Sequence, residues 1–165
     1  MKEIKAEELM QYINPMAMES NPAIALASDG KETNGLTIGW AGFGVLWQKL
    51  CATVYVHKAR YSKHVFDGAE YFSLCFFGKE NKKAIKYFGT VSRRDENKME
   101  KSGLTPVADD LAPYFAESSV VVLCRKMGQC DFSADSCDAG VKDWYRKDGV
   151  HTQYMGEIVK VLVKE

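Results

Sequence analysis

The chain has 165 residues, with 22 basic and 22 acidic side chains. That length suits a single domain over residues 1–165 with its own hydrophobic core, and the balanced charge leaves no net field to draw the protein to nucleic acid or to an anionic membrane. No stretch is long and apolar enough to span a bilayer and Met1-Lys2-Glu3-Ile4-Lys5 lacks the apolar run of a signal peptide, so a cytoplasmic protein is expected.

In chain order, Leu9, Met10 and Ile13 fall at helical spacing and predict a short helix over Ala6 to Ile13, ended by Pro15. Ala23 to Ser28 reads as an apolar strand. Asp29-Gly30 and Asn34-Gly35 supply turn chemistry before the next run, Leu36 to Gly44, which predicts a hairpin. Cys51 to His57 and Tyr71 to Phe77 are rich in β-branched and aromatic residues and read as strands, with a short helix from Tyr61 to Phe66 between them. Lys79 to Phe88 is amphipathic, Arg93 to Lys101 is a charged helical excursion, and Ser119 to Lys126 and Gln153 to Val163 are the last strands. A polar stretch holding Trp144, Tyr145 and His151 separates those two. Strands outnumber helices and do not alternate with them, which favours a mainly β fold, a small antiparallel barrel with inserted helices.

The five cysteines form no CxxC pair and no metal-type spacing, so reduced thiols are expected. Cys51, Cys75 and Cys124 sit in apolar runs as small hydrophobes. Cys130 and Cys137 flank a polar segment without a basic neighbour to activate either thiol.

Two segments stand out. Thr37-Ile38-Gly39-Trp40-Ala41-Gly42-Phe43-Gly44 places three glycines in a strand-like run, where they weaken pairing unless a flat ligand approaches the backbone or the strand bends. His57-Lys58-Ala59-Arg60-Tyr61-Ser62-Lys63-His64 follows a strand and opens a helix. There Arg60 and the Ser62 hydroxyl suit a phosphate, although a solvated basic loop with Ser62 as an ordinary N-cap reads equally well. Ser92 to Lys98 mixes both signs and reads as a solvated helix face. No GxSxG elbow, P-loop or HExxH is present; His57 and His64 stand seven apart with no acidic residue at ligand spacing, so no metal site is expected. His151 reads as a surface histidine in a polar loop.

Taken together, Asn34-Gly35-Leu36-Thr37-Ile38-Gly39-Trp40, Val54-Tyr55-Val56-His57 leading to Arg60-Tyr61-Ser62, and Tyr71-Phe72-Ser73-Leu74 resemble the flavin reductase-like proteins with an FMN-binding split barrel. The resemblance continues through Gly89-Thr90-Val91-Ser92-Arg93-Arg94-Asp95 with Lys98, and Ser102-Gly103-Leu104-Thr105-Pro106, to His151, Tyr154 and Gly156-Glu157-Ile158. It implies a six-stranded antiparallel split β-barrel of Greek-key type, whose homodimer interface completes two FMN sites. It assigns Asn34, Thr37, Ile38, Gly39, Trp40, Ala41, His57, Tyr61 and Ser92 to the surroundings of the flavin, Arg60 and Ser62 to its phosphate, and Lys98 as a further cation. His151 matches a position near the flavin or the substrate, contributed from its own chain or across the dimer. Trp40, Phe76 and Phe77 are candidates to shape the pocket, with core packing the alternative for the two phenylalanines. The implied activity is electron transfer from NADH or NADPH through FMN to a small acceptor such as free flavin or ferric iron; the alternative is an FMN electron carrier reduced by a redox partner protein. Two departures from the family pattern are Arg93, where glycine is frequent, and the absence of a proline near Leu50.

Overall fold

The computed structural model describes residues 1–165, the side chains of Lys147 and Asp148 excepted. Strand β1 (Lys2–Ile4) leads into a tight 3-10 helix over Ala6–Gln11 rather than the α-helix that the apolar spacing predicts; it buries Leu9. Nucleating an α-helix is costly in so short a segment, and the tighter turn serves to seat one side chain.

Strands β2 (Ala23–Ser28) and β3 (Thr33–Ile38) form the expected hairpin, but only one of its two turn signals is used. The Asp29 carboxylate accepts from the N–H groups of Lys31 (2.9 Å) and Glu32 (2.8 Å), and Gly30 takes the left-handed conformation at φ 83°. Asn34-Gly35 instead pairs inside β3 with Ala27 and Leu26. Gly35 is needed there for close approach: a Cβ would come within 2.7 Å of the Ala25 carbonyl.

The run read as one strand from Leu36 to Gly44 breaks at Gly39-Trp40, where β3 ends and β4 (Ala41–Leu46) begins. A two-residue turn joins β4 to β5 (Lys49–His57), with Trp47 and Gln48 at φ 50° and 61°. Positive φ at both central positions matches the right-handed twist of the flanking strands, although glycine and asparagine adopt it more readily. Next come α1 (Lys63–Gly68), β6 (Tyr71–Phe76) and α2 (Lys82–Thr90), which buries Ala84, Ile85 and Phe88. The charged excursion is helical only at its end, α3 (Lys98–Lys101). A small hairpin, β7 (Pro106–Val107) with β8 (Tyr114–Phe115), precedes β9 (Val120–Asp131). Helix α4 (Ala139–Asp148), unexpected from the sequence, is capped by Asp138, whose carboxylate accepts from the amides of Gly140 and Val141. Strand β10 (His151–Val163) closes the chain.

All the large-sheet pairings are antiparallel, in the order β3-β2-β6-β9-β10-β5-β4, with β1 added on the far half of β10. The end strands β3 and β4 are consecutive in the chain, yet no ladder joins them. The barrel is split there. The strand count exceeds six because of β1 and of the break at Gly39-Trp40; the class is the expected one. Side-chain alternation fills two cores. Ala23, Ala25, Ala27, Val120, Val122 and Cys124 point into the barrel with Phe72, Leu74, Phe76, Val54 and Tyr154. Ile24, Leu26, Val121 and Leu123 point the other way, under α2 and the β7–β8 excursion, with Phe77, Ile85, Phe88 and Phe115. Phe76 and Phe77 therefore belong to cores and not to a pocket.

Candidate functional site

The elements converge where the barrel is split. The end of β3 (Leu36, Thr37, Ile38), the Gly39-Trp40 link, Tyr55 and His57 of β5, Ala59-Arg60, Trp144 of α4 and His151 of β10 line an open cleft of about 570 Å³. A volume of this order suits a small flat cofactor. One wall is aromatic. The His151 ring lies parallel to Trp144 (centroids 5.8 Å apart, 12° between planes) and packs on Trp40 (4.6 Å), while His57, its cross-strand neighbour, meets it edge-on at 4.9 Å. Gly39, exposed, has no atom nearer than 3.9 Å to a Cβ position, so the backbone is open to a ligand there.

His151 is buried and is the first residue of a strand, not part of a polar loop. Burial, then the neighbouring His57 and Arg60, bring its pKa down to about 4, so its ring is neutral at pH 7. Its Nδ1 is closed off from solvent and has no hydrogen-bond partner among the described residues, a costly arrangement for a buried polar atom. His57 is committed: Nδ1 accepts from the Ala59 amide at 3.1 Å, and Nε2 donates to the Gly149 carbonyl at 3.2 Å.

Beside the cleft, sharing Leu36, Ala59 and Arg60 with it, is a smaller space of about 110 Å³ lined also by Tyr61, Ser62, Ser92, Arg93, Arg94 and Lys98. The segment read as a solvated face thus folds back over Arg60. Lys98 is 3% exposed, and its ammonium donates to the carbonyls of Phe88 (3.3 Å) and Val91 (3.4 Å) at the end of α2. Desolvation first, then Arg60, lowers its pKa to about 8. Arg60 reaches the Gly89 carbonyl at 3.0 Å, and Arg94 lies over the Tyr61 ring. Among the described residues only Arg93 of these four cations pairs with a carboxylate, Glu32, at 3.4 Å. Three cations around a small polar space, one of them buried, leave a positive potential that an anion with several oxygens would neutralise.

The sequence-predicted residues divide accordingly. Thr37, Ile38, Gly39, Trp40, His57 and Arg60 line the cleft, and Arg60, Tyr61, Ser62, Ser92 and Lys98 line the cationic space. Asn34 and Ala41 line neither. Ser62 makes no cap bond; its hydroxyl donates to the Gly35 carbonyl (3.0 Å) and accepts from Asn34 (3.2 Å), which ties β3 to the start of α1. The Tyr61 hydroxyl donates a hydrogen bond to the Glu32 carboxylate at 3.1 Å. Trp144 escaped the sequence reading, although Asp138 as a cap and Gly149, at φ 87°, at the other end signal the helix that carries it.

An antiparallel barrel split at β3 and β4, with an aromatic-walled cleft and a cationic pocket at the split, defines a class of protein built to hold a flat anionic molecule. Residues 16–165 match the model of the flavin reductase like domain, and the chain belongs to that family. Among solved structures it is similar to a flavoredoxin of Desulfovibrio vulgaris (24% identity, TM-score 0.69, covering 88% of this chain and 70% of that one). It is similar also to an FMN-binding domain of a flavin reductases-like enzyme from Shewanella baltica (13%, TM-score 0.71, 97% and 75%). A third is the NADH:FAD oxidoreductase SgcE6 of Streptomyces globisporus (14%, TM-score 0.67, 87% and 74%). No curated protein matches the chain.

Proposed function

We propose that the chain is an FMN-binding oxidoreductase that takes electrons from NADH or NADPH and passes them to a small acceptor such as free flavin or ferric iron. The observation that carries this is the buried Lys98 ammonium: with Arg60 and Arg94 it leaves an anion-sized gap in charge at the mouth of a flat cleft. The residues present fit FMN. Arg60, Lys98 and Arg94 hold the phosphate, while Ser62 and Asn34 act one step back by fixing Gly35 and the strand that follows. Thr37, Ile38 and Gly39 offer backbone polar groups to the ring, and Trp40, Trp144 and His151 wall it from water. FMN held there would supply the redox chemistry, taking up electrons from the nicotinamide and passing them on to an acceptor. The protein therefore needs no catalytic base, and a neutral His151 is no acid at pH 7. Its contribution is orientation and exclusion of water.

The same reading includes a homodimer, supported by apolar side chains exposed on the edge strand β4 and its turn, and a cytoplasmic location, which suits five free thiols. Anaerobic titration with NADH, followed in the visible flavin spectrum, tests the activity. Bleaching of bound FMN at about one equivalent supports the reductase. A spectrum that persists under NADH but bleaches with a protein donor would replace it by an electron carrier, and failure to take up added FMN would remove the site assignment.

A further inference from the structure

Residues 79–94 hold six basic side chains, Lys79, Lys82, Lys83, Lys86, Arg93 and Arg94, against the single acid Glu80, in a chain with equal totals of both signs. Lys82, Lys83 and Lys86 stand one turn apart on α2, and Lys79 extends their row from the tight turn Lys79–Asn81 just before it; all four are exposed. Among the described residues none of the four has a carboxylate within ion-pair distance, whereas Lys49, Lys58, Lys63, Lys101, Lys142 and Lys160 are paired at 2.5–2.9 Å. Glu80 accepts from the Asn81 side chain instead. Ala84, Ile85 and Phe88 anchor the other face of α2 in the core, so the lysine stripe stands on a fixed base. Beside it, Pro22 and Ile85 help to line a hollow of about 400 Å³, with Lys82 and Lys86 at its edge.

The stripe also lies close to the flavin cleft. Thr37 lines both the cleft and the hollow and donates its hydroxyl to the Ile85 carbonyl, while Arg60 donates to the Gly89 carbonyl at 3.0 Å. A substrate would need a passage through that partition; an electron does not. No exposed aromatic side chain belongs to α2 or lines the hollow, so the surface offers no platform for stacking bases and no apolar side chain to sink into a lipid surface. An apolar hollow with a cationic rim has the make-up of a small protein–protein contact guided by charge. We propose that the lysine stripe of α2 is the docking surface of a small acidic one-electron carrier protein, which exchanges electrons with the flavin across Thr37. Each docked carrier takes one electron, so two in succession return one fully reduced flavin to its oxidised form, and the flavin's protons go to water. The inference rests on FMN occupying the cleft and is independent of the nicotinamide as donor.

The test mixes photoreduced, FMN-loaded protein with oxidised rubredoxin, a small acidic iron protein, and compares it with the variant carrying Lys79→Gln, Lys82→Gln, Lys83→Gln and Lys86→Gln. At low salt the second-order rate of rubredoxin reduction should fall at least about tenfold in the variant, and the steep loss of rate with added salt seen for the unsubstituted protein should flatten. Reduction of benzoquinone, which is uncharged, and FMN affinity should be the same in both forms, and the basic cytochrome c should react no more slowly with the variant. Binding is read separately by NMR, where oxidised rubredoxin should shift amides of α2 in the unsubstituted protein alone. Equal rates with rubredoxin in both forms, or an equal loss with benzoquinone, overturns the docking surface. A single-stranded oligonucleotide retained only by the unsubstituted protein, with no difference for rubredoxin, would give the stripe to nucleic acid. Rubredoxin reduction that depends on the stripe in a protein whose flavin NADH does not bleach keeps the surface and removes the nicotinamide donor; failure to take up FMN removes both.

Discussion

Lys58 and Arg60 stand two residues apart in one basic segment, and the structure gives them opposite circumstances. Lys58 is neutralised by Asp131 at 2.8 Å and lines neither space, whereas Arg60 lies on the boundary of both with no acidic partner among the described residues. Replacing Arg60 by Ala should therefore weaken FMN binding about 10- to 100-fold, the worth of a charge-assisted contact, while Lys58→Ala should change it less than about twofold. Quenching of flavin fluorescence on titration measures both, and equal affinities would remove the phosphate assignment. His151 makes a separate prediction about pH. The unfolded chain protonates this histidine near pH 6.5, and the folded protein resists until about 4. Between those values the unfolded state binds more protons, so stability falls as pH drops through that window. Urea unfolding at a series of pH values should show this slope, and His151→Phe should flatten it; an unaltered slope would assign the proton uptake to another group.

At the level of elements, what the sequence revealed depended on whether a signal was local. Strands β2 and β6 and the first part of β9, residues 120–124, are buried on both faces, so they stand out as apolar runs whatever their neighbours do. Arg60 was legible for a similar reason, because its segment lies directly between a strand and a helix. Lys98 was not: its surroundings read as a mixed-charge face, and only the docking of its segment against the end of α2 buries it. The family resemblance supplied it, and residue chemistry alone did not. His151 was misplaced because the first residues of β10 are polar, and their strand character comes from pairing with Val56 and His57. The turn at Trp47-Gln48 was hidden by residues that rarely take positive φ, and its hairpin closes through the antiparallel ladder between β4 and β5. Conversely, Asn34-Gly35 carried strong turn chemistry and yet became strand, because Asp29 had already closed the turn and the barrel required a residue without a side chain beside Ala25.

At the scale of the whole molecule, the split that opens the cleft also leaves β4 at the end of the sheet, with β5 as its only strand partner among the described residues. An edge strand with exposed apolar residues invites pairing unless something covers it. Val45 is 71% exposed and Trp47 59%, while the opposite flank of the same split exposes Trp40 and Trp144. Each such side chain contributes on the order of 1.5–3 kcal/mol when an interface removes it from water. A second copy of the chain seated on this hairpin would shield the edge and narrow the open cleft at once, so that assembly and flavin binding become linked. The proposed homodimer then has a direct test. Sedimentation should give twice the chain mass for the unsubstituted protein, and Val45→Asp with Trp47→Asp should raise the dimer dissociation constant at least about a hundredfold, since two buried apolar contacts become two desolvated charges. FMN affinity should fall in the same variant although neither residue touches Arg60 or Lys98, and it should recover as protein concentration drives the dimer back together. A single-chain mass for the unsubstituted protein would overturn the dimer, and a variant that dissociates without losing flavin would show that each cleft is complete within its own barrel.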